Sequence, residues 1–246
     1  MASVAVILPA AGKSSRFGGR EKKPFTSLDG RAVWLRTAEL FVNRPDVKQV
    51  LLVISPEDRE MVVSRFGATL MFMDITLVDG GAERFESVAN ALAKLRPGID
   101  LVAVHDAVRP CTPPAVIDAV FAMAEQEGAA LPGVAVADTL KRVDDTMAVR
   151  ETVPRQGLWQ AQTPQVFRRS WLEDAYARRS SLGAAITDDA QLVEAAGHPV
   201  RMVAGSPFNL KITTADDLRL AEMFLNKREA ETAKKPSRPF DDDRFE

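Results

Sequence analysis

Short apolar, β-branched runs alternate along the chain with longer stretches whose apolar residues recur every three or four positions. Residues 4–8 predict a buried strand, and 49–54, 75–78, 101–104, 130–137 and 200–203 predict others. Residues 31–41, 86–95, 113–127, 170–179, 187–196 and 216–225 predict helices. In the second of these, Val88, Leu92 and Leu95 fall on one face. A further helix follows the second strand, because Pro56 suits a first turn, where its missing N–H leaves no bond unmade. Strands separated by helices pair in parallel through right-handed crossovers. The pattern therefore implies an α/β fold built on a doubly wound sheet.

Residues 138–162 interrupt this rhythm. Leu140-Lys-Arg-Val143, the turn-like Asp144-Asp145 and the stretch 149–153 read as a hairpin of mixed polarity. It has too few apolar residues to bury both faces in a sheet of its own, and an isolated hairpin is marginal in water. The arm is thus expected to pack on something else, a second subunit foremost. One domain is expected over 1–225, followed by a charged, proline-containing tail over 226–246 without fixed structure.

Composition narrows the chemistry. With 46% hydrophobic and 27% charged residues among 246, a wholly disordered chain is excluded. One cysteine, Cys111, and two histidines, His105 and His198, exclude a disulfide scaffold, a cysteine-rich zinc site and an iron–sulfur cluster. A net charge of -2 gives no basic field for nucleic acid. The longest apolar stretch, 4–11, is far short of the ~20 residues that span a bilayer. Only Met-Ala-Ser precedes it, so a signal peptide is not expected, and a cytoplasmic protein without a membrane partner is. The acidic triplet Asp241-Asp242-Asp243 lies in the tail, with no fold to hold it as a metal site.

Polar residues and glycines collect where the strands end, which is where open α/β sheets bind ligands. The first strand runs into Pro9-Ala10-Ala11-Gly12 and on to Arg16 and Lys23. Small residues there admit a ligand close to the backbone, and successive N–H groups can cradle an anion. The stretch matches neither a Gly-Lys-[Ser/Thr] phosphate loop nor Gly-x-Gly-x-x-Gly. A second cluster holds Val78-Asp-Gly-Gly81, Glu83-Arg84 and Ser87, whose hydroxyl either caps the next helix or meets a ligand at its positive end. A third is His105-Asp106-Ala-Val-Arg109-Pro110. A lone histidine there is more often a structural hydrogen-bonding group than a base, and Asp106 and Arg109 are able to pair with each other. Thr187-Asp188-Asp189 opens a helix, with Thr187 as N-cap and two acids suited to the helix dipole. Asn209-Leu-Lys211 sets a lysine in an apolar, strand-like segment that a surface role does not explain.

Taken in order, these stretches resemble the 2-C-methyl-D-erythritol 4-phosphate cytidylyltransferase family from about Val4 to Leu225. The motifs that carry the likeness are Pro-Ala-Ala-Gly12 with Arg16 and Lys23, Val-Asp-Gly-Gly81 with Glu83-Arg84 and Ser87, and His-Asp-Ala-Val-Arg-Pro110. Asp138-Thr139, Arg155 with Gly157-Leu-Trp-Gln160, Thr163-Pro-Gln165, Thr187-Asp-Asp189 and Asn209-Leu-Lys211 complete the set. The chain departs from the family pattern at Lys22-Lys23-Pro24, where two lysines adjoin, at Ala82, where an acid is common, and at Pro154. The resemblance implies a Rossmann-like nucleotidyltransferase fold, a mostly parallel sheet with a protruding β-arm, and a homodimer that exchanges arms.

The resemblance also implies roles. Ala10, Ala11, Gly12, Gly81, Ser87 and Asp106 would surround CTP. Arg16 and Lys23 would stabilise charge at the reacting phosphorus. Arg155 and Lys211 would position the acceptor, with Arg109, Thr139 and Thr187 as further contacts. Mg2+ or another divalent cation would ride mainly on triphosphate oxygens. Because the nucleophile is an already ionised phosphate, a scarcity of histidine and cysteine suits the chemistry, which depends on positioning and electrostatic stabilisation. A ribitol 5-phosphate cytidylyltransferase and a non-catalytic nucleotide-binding protein remain the alternatives.

Overall fold

The computed structural model describes residues 1–12, 22–179 and 186–233, with backbone alone beyond Lys227. Its strands are β1 (Val4–Pro9), β2 (Ser27–Leu28), β3 (Arg31–Ala32), β4 (Val47–Ile54), β5 (Ile75–Asp79), β6 (Leu101–Val104), β7 (Ala129–Ala135), β8 (Leu140–Val143), β9 (Val149–Val153), β10 (Trp159–Ala161), β11 (Gln165–Arg168) and β12 (Arg201–Ala204). The helices are α1 (Val33–Ala38), α2 (Arg59–Phe72), α3 (Arg84–Leu92), α4 (Pro114–Glu127), α5 (Arg169–Ala177), α6 (Asp189–Ala195) and α7 (Ala215–Ala233).

The continuous apolar runs have a direct physical reason. Successive side chains of a strand point to opposite faces, and here both faces are covered. Val4, Val6 and Leu8 of β1 enter one core with Trp34, Val62, Phe66, Ile117 and Val120. Ala5 and Ile7 enter a second core with Val88, Leu172 and Leu192. β4 divides likewise, Val50, Leu52 and Ile54 to one side, Leu51 and Val53 to the other. Strands buried on both faces favour near-continuous apolar runs, and β4 carries its polar residues, Lys48 and Gln49, only near its start.

The main sheet runs β10-β7-β11-β6-β1-β4-β5, with β12 beside β7. β1 pairs in parallel with β4 and β6, β4 with β5, and β12 with β7. β11 pairs antiparallel with β6 and β7, and β10 antiparallel with β7. The sheet is therefore mixed, parallel in most of its pairs. The pattern reading missed both β10 and β11, which are three and four residues long.

The structure moves several other boundaries. Arg31 begins a strand rather than a helix: Asp29 and Gly30, at φ 50° and 73°, turn a β2–β3 hairpin, and the helix starts two residues later. Asp-Gly is a strong hairpin signal that the helical spacing masked. The arm ends earlier than 162, because Trp159–Ala161 pairs with β7; the free hairpin is β8–β9 alone. None of its strand residues is buried. Its turn is closed by Asp144, whose Oδ1 accepts from the Thr146 N–H at 2.9 Å, the Thr146 hydroxyl at 2.7 Å and the Ala148 N–H at 3.0 Å. At the other end, α7 continues to Ala233, into what composition reads as tail; the stretch 234–246 lies outside the described residues.

Two helix-terminal glycines differ in a way that stability measurements can separate. Gly128, at φ 94°, ends α4, and a Cβ on it would stand 2.4 Å from the Trp171 ring. Gly197, at φ 92°, has nothing within 4 Å of that point. Gly197→Ala is expected to cost about 1–2 kcal/mol of left-handed strain alone. Gly128→Ala adds an overpacking cost of about 1–3 kcal/mol. Urea denaturation of the two variants should rank Gly128→Ala as clearly the less stable, and equal midpoints would contradict the packing described here.

Candidate active site

Three loops meet at the carboxyl ends of β1, β5 and β6. The backbone N–H of Ala10 donates to Val53 O at 2.7 Å, and that of Gly80 to Ile54 O at 2.7 Å, so the loops after β1 and β5 both lean on the end of β4. They touch across it. A Cβ on Gly80 would stand 2.9 Å from the Ala11 Cβ and 2.7 Å from Ser87 Oγ, so only glycine allows the approach. Ser87 Oγ accepts from the Gly81 N–H at 3.1 Å and donates to Glu83 O at 3.1 Å. Ser87 thus fastens the loop and is not the helix cap. That place belongs to Glu83, which forms a reciprocal capping box with Glu86. Ala10 is buried, whereas Gly12 faces open space.

After β6 the chain builds the electrostatic centre. Asp106 is buried, and its Oδ2 lies 3.1 Å from Arg109 Nε and 3.0 Å from Lys211 Nζ. Burial by itself raises a carboxyl pKa. Here Lys211, then Arg109 and Arg84, outweigh it and hold the Asp106 carboxyl well below the usual range. The group is a stable anion facing cations, of which Lys211 remains half exposed. Arg109 Nη1 also donates to Asn209 O at 2.7 Å, tying the loop after β6 to the loop before α7.

His105 is fully buried behind this cluster. Burial depresses it to about 4, so the ring is neutral near pH 7. Its Nδ1 lies 3.1 Å from the Thr163 hydroxyl and its Nε2 3.3 Å from Arg109 O. Thr163 Oγ1 in turn accepts the Asp106 N–H at 3.1 Å. The arrangement suits an Nε2–H tautomer that serves structure, as expected for a lone histidine at this place.

Residues that the sequence reading left without a role join the cluster. Arg84, in the first turn of α3, donates to the buried Asp189 at 2.7 Å, and Tyr176 donates to the other Asp189 oxygen at 2.6 Å. Burial works against the Arg84 charge, but Asp189 and Asp106 more than offset it and raise its pKa. Gln162, Thr163 and Asn209 form a buried polar junction below Asp106. The available signal was an excess of polar residues, Gln162-Thr163 and Asn209, in segments flanked by apolar ones.

Other expected site residues stand apart. Thr139 and Arg155 are exposed and flank the two ends of the β8–β9 hairpin. Thr187 is exposed, its N–H and hydroxyl 2.8 and 3.0 Å from Gln191 Oε1. It is not the N-cap of α6: Asp188 is, accepting the Gln191 N–H at 2.9 Å, because a carboxylate satisfies the same N–H with added charge at the positive helix end. Lys22 is held by Glu57 at 2.5 Å and Asp58 at 2.8 Å, whereas Lys23 opens a short 3-10 turn over Lys23–Phe25. Arg16 lies outside the described residues.

Among the described residues no group of three or more His, Cys, Asp or Glu side chains could hold a metal by itself. A cavity of about 400 Å³ lined by Cys111, Phe208, Phe224 and Leu225 is apolar, with Lys227 the one charged side chain among the described residues that line it, and does not suit a polyanion. The polar cleft around Asp106 does.

Comparison with known proteins agrees with this geometry. The family model described as 2-C-methyl-D-erythritol 4-phosphate cytidylyltransferase matches residues 4–227. A protein of that name from Rhodopirellula baltica is 43% identical over 241 residues, covering 94% of this chain and 98% of its own. One from Alkaliphilus metalliredigens is 38% identical over 229 residues, 92% and 94% of the two chains. The crystal structure of 4-diphosphocytidyl-2C-methyl-D-erythritol synthase from Anaerococcus prevotii superposes with a TM-score of 0.77 at 28% identity, covering 92% and 99%. That of the Thermus thermophilus cytidylyltransferase gives 0.72 at 32% identity, covering 92% and 100%. With a family model spanning nearly all of the folded chain and the cation-ringed Asp106 at its strand ends, this chain belongs to the 2-C-methyl-D-erythritol 4-phosphate cytidylyltransferase family.

Proposed function

We propose that this cytidylyltransferase joins CTP to 2-C-methyl-D-erythritol 4-phosphate in the cleft at the ends of β1, β5 and β6. An oxygen of the acceptor phosphate attacks the α-phosphorus of CTP. The bond from that phosphorus to the bridging oxygen breaks, and pyrophosphate leaves with the electron pair. The observation that carries the reading is the convergence of Arg109 and Lys211 on Asp106, with Arg84 beside them: fixed positive charge where two anions must meet.

In this reading the loops that carry Ala10, Ala11, Gly12, Gly81 and Ser87 hold the nucleotide, their small side chains admitting it close to the main chain, and Asp106 orients the cations. Lys211 and Arg109 receive the acceptor phosphate, with Thr187 at the edge. Arg16 and Lys23 meet the charge that develops at phosphorus. A divalent cation would come coordinated by the triphosphate, with Asp106 the carboxylate of the cleft; when bound it supplies positive charge to the phosphate oxygens. No described helix is long and apolar enough to cross a membrane, which is compatible with work in the cytoplasm.

In this reading a second subunit brings Thr139 and Arg155 to the acceptor. The β8–β9 hairpin buries none of its strand residues within its own chain and exposes Val143, Met147 and Val149. A two-fold dimer in which each arm covers the other's cleft accounts for both facts.

Three measurements test these assignments. Incubation with CTP, Mg2+ and either methylerythritol phosphate or ribitol 5-phosphate should release pyrophosphate with the first acceptor; release with ribitol phosphate alone would overturn the substrate. Lys23→Ala should lower kcat by orders of magnitude with a smaller change in KM for CTP. Lys22→Ala should lose an ion pair with little loss of kcat, and the reverse pattern would show that Lys22 is the reacting lysine. Mixing Arg155→Ala and Lys211→Ala chains should restore about a quarter of full activity, since half the dimers are mixed and each has one intact site. No recovery despite demonstrated subunit exchange would place arm and cleft function in one chain.

A further inference from the structure

Asn209 is almost wholly buried, and its carboxamide is engaged on both sides. Its Nδ2 donates to Thr163 O at 2.8 Å and lies 3.3 Å from Gln162 Oε1. Its Oδ1 accepts from the Thr112 hydroxyl at 2.8 Å. The main-chain oxygen of the same residue accepts from Arg109 Nη1 at 2.7 Å. Two residues later Lys211 Nζ reaches the Asp106 oxygen that Arg109 Nε also bonds. These links close a ring: Asp106 to Arg109, Arg109 to Asn209, Asn209 through Leu210 to Lys211, and Lys211 back to Asp106.

We infer that Asn209 is a positioning residue for the transfer, its carboxamide fixing the loop so that this ring closes and Lys211 meets the acceptor phosphate. The inference rests on Lys211 receiving that phosphate. A lysine side chain is long and freely rotating, so its reach depends on where its backbone is held and on the carboxylate that pins its end. The carboxamide of Asn209 serves the first by holding the loop, and Asp106 supplies the second. That carboxamide offers donors to the segment before β11 and an acceptor to the loop after β6, a combination that neither a carboxylate nor an apolar side chain provides. Substitution leaves Thr163 O without its buried donor, frees the Thr112 hydroxyl to turn to Arg109 O at 3.1 Å, and releases the loop. Small displacements of a positioning group are expensive in rate: about 1 Å can cost about 100-fold.

The test is a double-mutant cycle on the full-length protein. Asn209→Ala should lower kcat/KM for the acceptor by about 10- to 100-fold, with KM for CTP altered less than about threefold. In a Lys211→Ala background the same substitution should cost less than about threefold, because the group it positions is gone. Thr112→Val, which keeps the shape and removes one bond to Asn209, should show a smaller loss in the same direction and carries the test if Asn209→Ala does not fold. Val120→Ala, a core change in α4 remote from the ring, controls for stability and should leave kcat/KM within about twofold at matched loss of Tm. If Lys211→Ala is damaging and the Asn209→Ala loss multiplies with it in full, or if Val120→Ala reproduces that loss, Asn209 is merely structural and the inference fails alone. If Lys211→Ala leaves acceptor use unchanged, the assignment of Lys211 fails and takes the inference with it.

Discussion

A carboxylate taken out of water is tolerable only with positive charge beside it. Asp106 imposes this requirement on three distant segments at once. Arg109 lies three residues on, Lys211 comes from the far end of the chain, and Arg84 from the helix after β5. Each cation would repel the others if the anion were absent. With it, and with Asp189 beside Arg84, three like charges sit together in one cleft. The cluster is therefore a constraint on the fold as well as the centre of the proposed site.

The platform beneath the cluster is set by the same preference that makes β1 apolar throughout and β4 apolar from Val50 to Ile54. Covered on both faces, these strands can carry polar groups only at their ends. β1 has strands on both sides, so its end is flanked by those of β4 and β6, and the loops from β1 and β5 close over the end of β4. Polar residues are thereby expelled from the sheet toward one edge, and function gathers there because the core has no place for it. Thr163 and Asn209 extend this logic below the rim: they are buried, but each bonds a backbone group, the Asp106 N–H and Thr163 O respectively, as well as neighbouring polar side chains.

Much of this is legible in the sequence, and the exceptions have identifiable physical causes. Residues 4–8, 49–54 and 101–104 were plain because burial on both faces leaves an unbroken apolar run. Trp159–Ala161 and Gln165–Arg168 were not, because each is short and the first carries exposed residues on a sheet edge. The hairpin at Asp29-Gly30 was hidden because helical spacing was read from Arg31, directly after the turn, and took in the residues of β3. At the site, Asp106, Arg109 and Lys211 were found from strand ends and from a lysine in apolar company, and the structure joins them. Arg84 and Asn209 were quoted only within motifs, since nothing local distinguishes a residue whose partners lie about a hundred positions away. Thr187 was taken as a cap on residue type, and its neighbour Asp188 prevailed because the backbone turn presents that carboxylate to the Gln191 N–H.

The tip of the β8–β9 hairpin bears on how the arm can associate. Three donors converge on one oxygen of Asp144, and Arg150 pairs with the other. Those bonds lie wholly inside the turn, so the hairpin's shape is set by its own chain. A surface that receives it does not have to fold it. The conformational entropy of the turn is then lost when the chain folds and not again on contact, which leaves more of the contact energy for affinity. In the proposed dimer such an arm would dock as a preformed key, with recognition residing in the side chains along its strands.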